Sequence, residues 1–315
     1  VPTTGQGRAP ILEHGAMLIP PPLLYTGFAR AGTPALVRAG RAAPRLGLIA
    51  LAVLTAALAI GASWAYVELG WGGWWAWDPI ENVGLIVWLL LAAALHTRVL
   101  DPDRTTGIGL LSAPVLWALC WPAVMAGAAL TRTSERTSVH AFADAVQLAG
   151  WLWPLAVLAG LGAGLRVAED RPTVPVRSDW PLRAPQAVLA MTALIVAAGT
   201  YRPFVSGDGT AGWFYTRALF PLAVVGLVLA VVLPARRLTA RSDRRPSLAL
   251  LAGHGGMALI LVAAVAGTAS SRSTVRLLEG ATTTVDGRTV TLEEIEHTRK
   301  ALADVLKTET SQVAA

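Results

Sequence analysis

Polar and apolar positions along this chain do not alternate; they come in long blocks. Apolar runs are separated by short segments rich in Arg, Pro and Gly. Six of the runs are each near the ~20 residues that a helix needs to cross a hydrocarbon core. They lie at about 46–68, 83–100, 106–129, 145–167, 184–201 and 214–233, and a seventh, 248–269, precedes a polar tail. An earlier stretch, Met17 to about Leu36, is interrupted by Pro20, Pro21, Pro22, Gly27, Arg30, Gly32 and Pro34. It reads either as a broken crossing helix or as a segment lying at the interface. The pattern predicts an all-α polytopic membrane protein of about seven to eight transmembrane helices. Residues 1–269 form its membrane domain and 270–315 a small tail. In that tail Asp286-Gly287 stands between two β-rich runs, the signal of a hairpin. Beyond it, Leu292, Ile295, Leu302, Val305 and Leu306 fit a helical stripe. No repeat is visible across the spans.

Composition agrees, with 54% hydrophobic and 15% charged residues in 315, too apolar for an ordinary soluble globule. The formal charge of +6 raises nucleic acid as a partner, and its placement argues against one. Arginines concentrate in alternate short connections: Arg30 to Arg45, Arg98 with Arg104, Arg166 to Arg183, and Arg236 to Arg245. Such loops are cytoplasmic by the positive-inside rule. The segment near residues 68–82, the loops at 130–143 and 201–213, and the tail then face the outside. No signal-peptide pattern precedes the first apolar run. The chain opens on Val1, which leaves an alternative start and a missing front both open.

One connection is unlike the others. Glu68–Asn82 carries Trp71, Trp74, Trp75 and Trp77, three glycines, and the acids Asp78 and Glu81. Tryptophan is enriched at membrane interfaces in any case, but an ordinary aromatic belt spreads over several helix ends. With Trp64, this neighbourhood holds five of the chain's 12 tryptophans. Dense aromatic faces beside a few acids suit a flat, apolar, partly charged ligand such as a porphyrin. Cysteine adds little: the lone Cys120 lies in an apolar run. Without a Cys-x-x-Cys-His motif the chain does not attach haem covalently to itself.

Of five histidines, His96 and His254 fall inside spans, where an ionisable residue is a functional candidate. At 1.5 Å rise per residue both lie at similar depth near the cytoplasmic face. Two neutral imidazoles at one depth can supply both axial ligands of a b-type haem. Hydrogen bonding of each histidine to a neighbouring helix is the competing reading. His140 lies in the connection after the 106–129 span, on the same face as the Trp-rich segment, where it can offer iron an axial nitrogen. Arg132 and Arg136 beside it match carboxylates such as porphyrin propionates in geometry. His14 and His297 lie in polar segments and carry no signal of their own.

At these residues the chain resembles a known family. Trp-Gly-Gly-Trp-Trp-Ala-Trp-Asp-Pro-Ile-Glu-Asn82 is similar to the tryptophan-rich WWD signature of cytochrome c assembly proteins, in the form of the CcmF/NrfE haem-lyase branch. Pro-Pro-Leu-Leu-Tyr25, Ala-Leu-His96, Thr-Ser-Val-His140-Ala-Phe and Gly-His254-Gly agree with the family in the same order. The resemblance implies a haem lyase subunit of a cytochrome c synthetase complex. Such a subunit takes haem from a periplasmic haem chaperone and joins it to Cys-x-x-Cys-His motifs of apocytochrome c, alongside other maturation subunits. It further implies His96 and His254 as iron ligands of a structural haem b that reduces incoming iron. His140 is implied as an outer iron ligand, with Trp71, Trp74, Trp75, Trp77, Asp78 and Arg132 around the incoming haem. The chain departs from the family at Pro20, where a histidine is usual, with His14 six residues upstream. Glu135 and Arg136 also stand where apolar residues are usual, and family members are longer. Two other function classes remain: a non-catalytic haem-binding scaffold, motivated by Pro20, and a small-molecule permease, motivated by the number of spans.

Overall fold

A computed structural model describes residues 14–36, 42–68, 74–100, 111–132, 146–169, 180–206, 210–239, 250–259, 282–285 and 288–291. Two compact units, Val1–Val265 and Ala266–Ala315, make up the chain. In the first, a short 3₁₀ turn, Gly15–Leu18, leads into α1 (Pro20–Ala31) and the one-turn α2 (Thr33–Leu36). There follow α3 (Ala42–Glu68), α4 (Pro79–Leu100), α5 (Ala113–Leu130), α6 (Val146–Glu169), α7 (Trp180–Tyr201), the short α8 (Pro203–Ser206) and α9 (Gly212–Thr239). The last described helix, α10, is Leu250–Leu259.

Six of these helices, α3 to α7 and α9, are long and apolar enough to cross a membrane, and they coincide with the six runs read from the sequence. The chain is a multi-pass membrane protein. The count of seven to eight is not reached among the described residues, for two reasons. The stretch at 17–36 is not one span: Gly32 breaks it, and Trp121 of α5 packs so closely on Gly32 that a Cβ there would overlap the indole. The seventh run is described only over Leu250–Leu259.

Burial ranks the helices. α4 packs against α3, α5 and α7, and Val83, Val87, Leu91 and Ala94 are closed off from solvent. A helix that is apolar all round belongs in the middle of a bundle, and α4 takes that place. By contrast α6 and α9 leave large apolar side chains outside, among them Trp151, Leu161, Leu165 and Val228. In water such faces would be a liability; against lipid tails they are at home. Close approach at α4 rests on Gly127 of α5, whose missing side chain leaves the space that Val83 fills.

The second unit contains an antiparallel strand pair, β1 (Thr282–Val285) and β2 (Arg288–Thr291), with Val285 opposite Arg288. Asp286-Gly287 between them, and the stripe read at 292–306, lie outside the described residues.

Candidate functional site

Both candidate sites hang on α4, one at each end. At its N-terminal end the sequence Asp78-Pro79-Ile80-Glu81 is a helix-start signal: an acid at the N-cap, proline at the first position, and Glu three residues on. The structure uses it so. Asp78 Oδ1 accepts from the Ile80 amide at 2.9 Å, and the Asp78 carbonyl takes the first helical bond, from Asn82 N–H at 2.9 Å. Glu81 reaches back to accept from the Ala76 amide at 3.4 Å. Asp78, 7% exposed, thus serves as the cap of α4; its carboxylate faces the start of the helix.

The described part of the Trp-rich segment divides. Trp74 is open, 58% exposed, and its indole stacks on Tyr66 of α3 at 5.5 Å and 15°. Trp77 is half-buried and lies flat on Tyr215 of α9, 4.8 Å between centroids and 9° between planes. Trp75 meets Trp77 edge-on at 6.4 Å, with its Nε1 shielded from solvent and without a hydrogen bond. Trp77 also has φ 62°, a left-handed conformation uncommon for so bulky a residue. Asn82 Nδ2 donates to the Trp77 carbonyl at 3.1 Å and helps hold that bend. Trp71 lies outside the described residues.

His14 comes to the same neighbourhood. Its Nδ1 accepts from the Ala16 amide at 3.1 Å, so its proton sits on Nε2, which faces the Glu68 carboxylate at 3.8 Å. Glu68 ends α3, immediately before the Trp-rich segment. Pro20 opens α1, buried, in reach of α3 at Gly61. Arg132 turns back on its own helix: Nη1 donates to the Ala128 carbonyl at 2.9 Å and to the Thr131 hydroxyl at 2.8 Å. Those bonds satisfy the end of α5, where a cation also complements the helix dipole. His140 and Arg136 lie outside the described residues.

At the C-terminal end of α4 the structure brings together two residues far apart in sequence. The rings of His96 and His254 stand 6.0 Å apart at 86°. Each Nδ1 meets the carbonyl four residues back in its own helix, Ala92 O at 2.7 Å and Leu250 O at 2.9 Å. A carbonyl can only accept, so both protons sit on Nδ1 and both Nε2 lone pairs are available. Tethering one nitrogen to orient the other is how proteins prepare imidazoles for metals. The pair can give one metal ion two nitrogens. Among the described residues no group of three or more His, Cys, Asp or Glu gathers for that purpose.

Sequence reasoning quoted Asn82 within a motif and missed Tyr66 and Tyr215. For the tyrosines the usable signal was an aromatic at the end of an apolar run, which marks a membrane boundary without naming its partner.

Comparison with known proteins finds relatives of this chain. Residues 26–113 match the family model described as cytochrome C assembly protein. The chain is 31% identical over 318 residues to the "Probable cytochrome c-type biogenesis protein NrfE" of Escherichia coli K12, covering 92% of this chain and 56% of that one. It is 32% identical over 225 residues to the cytochrome c-type biogenesis protein CcmF of the same organism, covering 65% and 34%. A solved structure of cytochrome c haem lyase CcmF superposes with a TM-score of 0.53 at 26% identity, covering 82% of this chain and 47% of that chain. The chain therefore spans between about a third and just over half the length of the relatives it matches.

Proposed function

The chain belongs to the cytochrome c assembly protein family, to its CcmF/NrfE type, and from that premise we propose that it is a membrane subunit of a cytochrome c haem lyase. In this reading it receives haem at the Trp-rich segment and helps join it to Cys-x-x-Cys-His motifs of apocytochrome c. Its partners are that apocytochrome, a periplasmic haem chaperone and further maturation subunits. The arginine distribution supports an external Trp-rich segment and cytoplasmic connections on the opposite face.

The observation that carries the reading is the pair His96 and His254. Imidazole nitrogen suits iron, zinc, copper and nickel, and the donor set fits a bis-histidine iron. His96 and His254 would hold a resident b-type haem, which supplies a one-electron centre when bound. What the chain itself does there is fix two tautomers through Ala92 O and Leu250 O, and so aim two Nε2 atoms. At the other end of α4, Trp74 offers an open aromatic face to incoming haem, and His140 supplies an axial nitrogen in the same reading. Arg132 can meet a propionate once it releases the end of α5.

An absorption spectrum of the purified protein, made with ample haem supply, tests this. A Soret band is expected, lost in His96→Ala and in His254→Ala. A colourless wild-type preparation would overturn the assignment of the resident haem.

A second reading has its own observation. Pro20 stands buried at the start of α1 where the family usually has a histidine, and the nearby His14 is engaged with Glu68. A chain lacking that outer ligand would bind haem as a scaffold without completing the transfer. Complementation of a lyase-deficient strain separates the two: mature c-type cytochrome made with this chain rules the scaffold out.

A further inference from the structure

The tryptophans of the described segment do not share one environment, and the difference assigns them different work. Trp77 lies flat on Tyr215, a residue 2% exposed. Its indole edge comes up to Gly212, where a Cβ would sit 3.5 Å from Cδ1. Tyr215 is set against α7 at Gly199, where a Cβ would fall 2.6 Å from its ring. The Tyr215 hydroxyl stands 3.5 Å from the Thr200 hydroxyl, which also bonds the Val196 carbonyl at 2.7 Å. On the α4 side Asn82, fully buried, bonds the Trp77 carbonyl and has its side chain beside the Tyr215 phenol. Asn82 Oδ1 itself has no hydrogen bond of good geometry.

We propose that Asn82 and Tyr215 form a socket for Trp77, making Trp77 the fixed post of the Trp-rich segment and leaving ligand contact to its neighbours. This rests on the reading of that segment as the haem-receiving face. Three features converge on it. One face of the indole is covered by Tyr215, so Trp77 cannot be sandwiched by a ligand. A left-handed φ in a non-glycine residue costs on the order of 1–3 kcal/mol and persists only where its surroundings over-determine it; here the Asn82 bond and the stack do so. A buried asparagine is held in an apolar bundle at a cost unless it fixes something, and what Asn82 fixes is the Trp77 carbonyl. The socket joins α4, α7 and α9 at one point, so the bend of the segment is set by the bundle rather than by the loop. Tyr215 and Asn82 are positioning residues in this scheme, and Trp74 carries an exposed face.

Two measurements on the full-length purified protein test the proposal. Chymotrypsin cleavage within residues 74–77, read by fragment mass on protein without added haem, reports whether this stretch is pinned. Loss of an aromatic stack and its burial opens a segment roughly tenfold, so Tyr215→Leu and Asn82→Ala are expected to speed cleavage about that much. Tyr215→Phe and Trp77→Phe, which keep stacked rings, should stay within about twofold of wild type. Titration with free ferric haem, followed by tryptophan fluorescence, gives the second readout. Tyr215→Leu should weaken haem capture and Trp77→Phe should retain it. Unchanged cleavage in Tyr215→Leu overturns the socket. So does a Trp77→Phe variant that is still protected but has lost as much haem affinity as Trp74→Ala, because Trp77 would then touch the ligand. If Trp74→Ala leaves haem capture untouched, the haem reading of the segment fails, and the cleavage rates still decide the socket.

Discussion

The two ends of α4 solve the same problem in opposite ways. At the C-terminal end, precision comes from each histidine's own helix: a carbonyl four residues back fixes the ring, and the bundle has only to bring two finished groups to 6.0 Å. At the N-terminal end, the described residues 74–78 are irregular backbone, and their geometry is borrowed from helices around them. Asp78 caps α4, Asn82 holds the Trp77 carbonyl, and Tyr215 of α9 supplies the stack. Local fixation makes a rigid pair suited to a resident metal group. Borrowed fixation leaves an open ring, Trp74, suited to something that arrives and leaves. From Pro79 to His96 the helix rises about 26 Å, close to the ~30 Å of a hydrocarbon core, so the two ends belong to opposite faces of the membrane.

The largest break in that comparison should come from the histidines. His96→Ala or His254→Ala removes a donor outright and should cut bound b-type haem by at least about tenfold, since even loss of an orienting partner costs that much. Pyridine haemochrome assay of purified protein reads it. Chymotrypsin protection of residues 74–77 should be unchanged in the same variants, because the two ends lie about 26 Å apart along α4 and distant sites act independently. Coupled loss at both ends would show that they are one site.

A smaller effect tests whether the N-terminal end depends on the bundle. Gly199→Ala places a methyl against the Tyr215 ring at 2.6 Å and the Phe214 ring at 2.9 Å. Overpacking of this kind costs about 1–3 kcal/mol. Thermal unfolding should shift down, and haem capture at the Trp-rich segment should fall while the His96–His254 Soret band persists. A variant that lost the Soret band first would reverse the assignment of rigidity argued above.

Much of this was legible in the residues, for reasons that differ between the ends. The six spans emerged because block length and helix rise together fix a crossing. At 17–36 the run is broken, in keeping with its Pro and Gly content; the contact of Gly32 with Trp121 joins distant residues and is not contained in hydropathy. His96 and His254 could be paired by depth alone, since helices entering from one face return to a common level at a known rise. Nothing comparable links Trp77 to Tyr215: their stack depends on how α7 and α9 pack, with Gly199 and Gly212 permitting the approach. Asp78-Pro79-Ile80-Glu81 spells a helix start as well as supplying the acids of the ligand reading.

That last point yields the finest test. If Asp78 acts as a cap, Asp78→Ala should cost about 1 kcal/mol of stability, and Asp78→Asn close to nothing, because asparagine caps as well as aspartate. Both would leave the Trp77 stack in place, so haem capture should follow stability in the two variants. If Asp78 instead meets the ligand as a carboxylate, Asp78→Asn would keep stability and lose haem capture. Thermal denaturation and haem titration on the same two proteins separate the outcomes. The 7% exposure of Asp78 and its 2.9 Å bond to the Ile80 amide favour the cap.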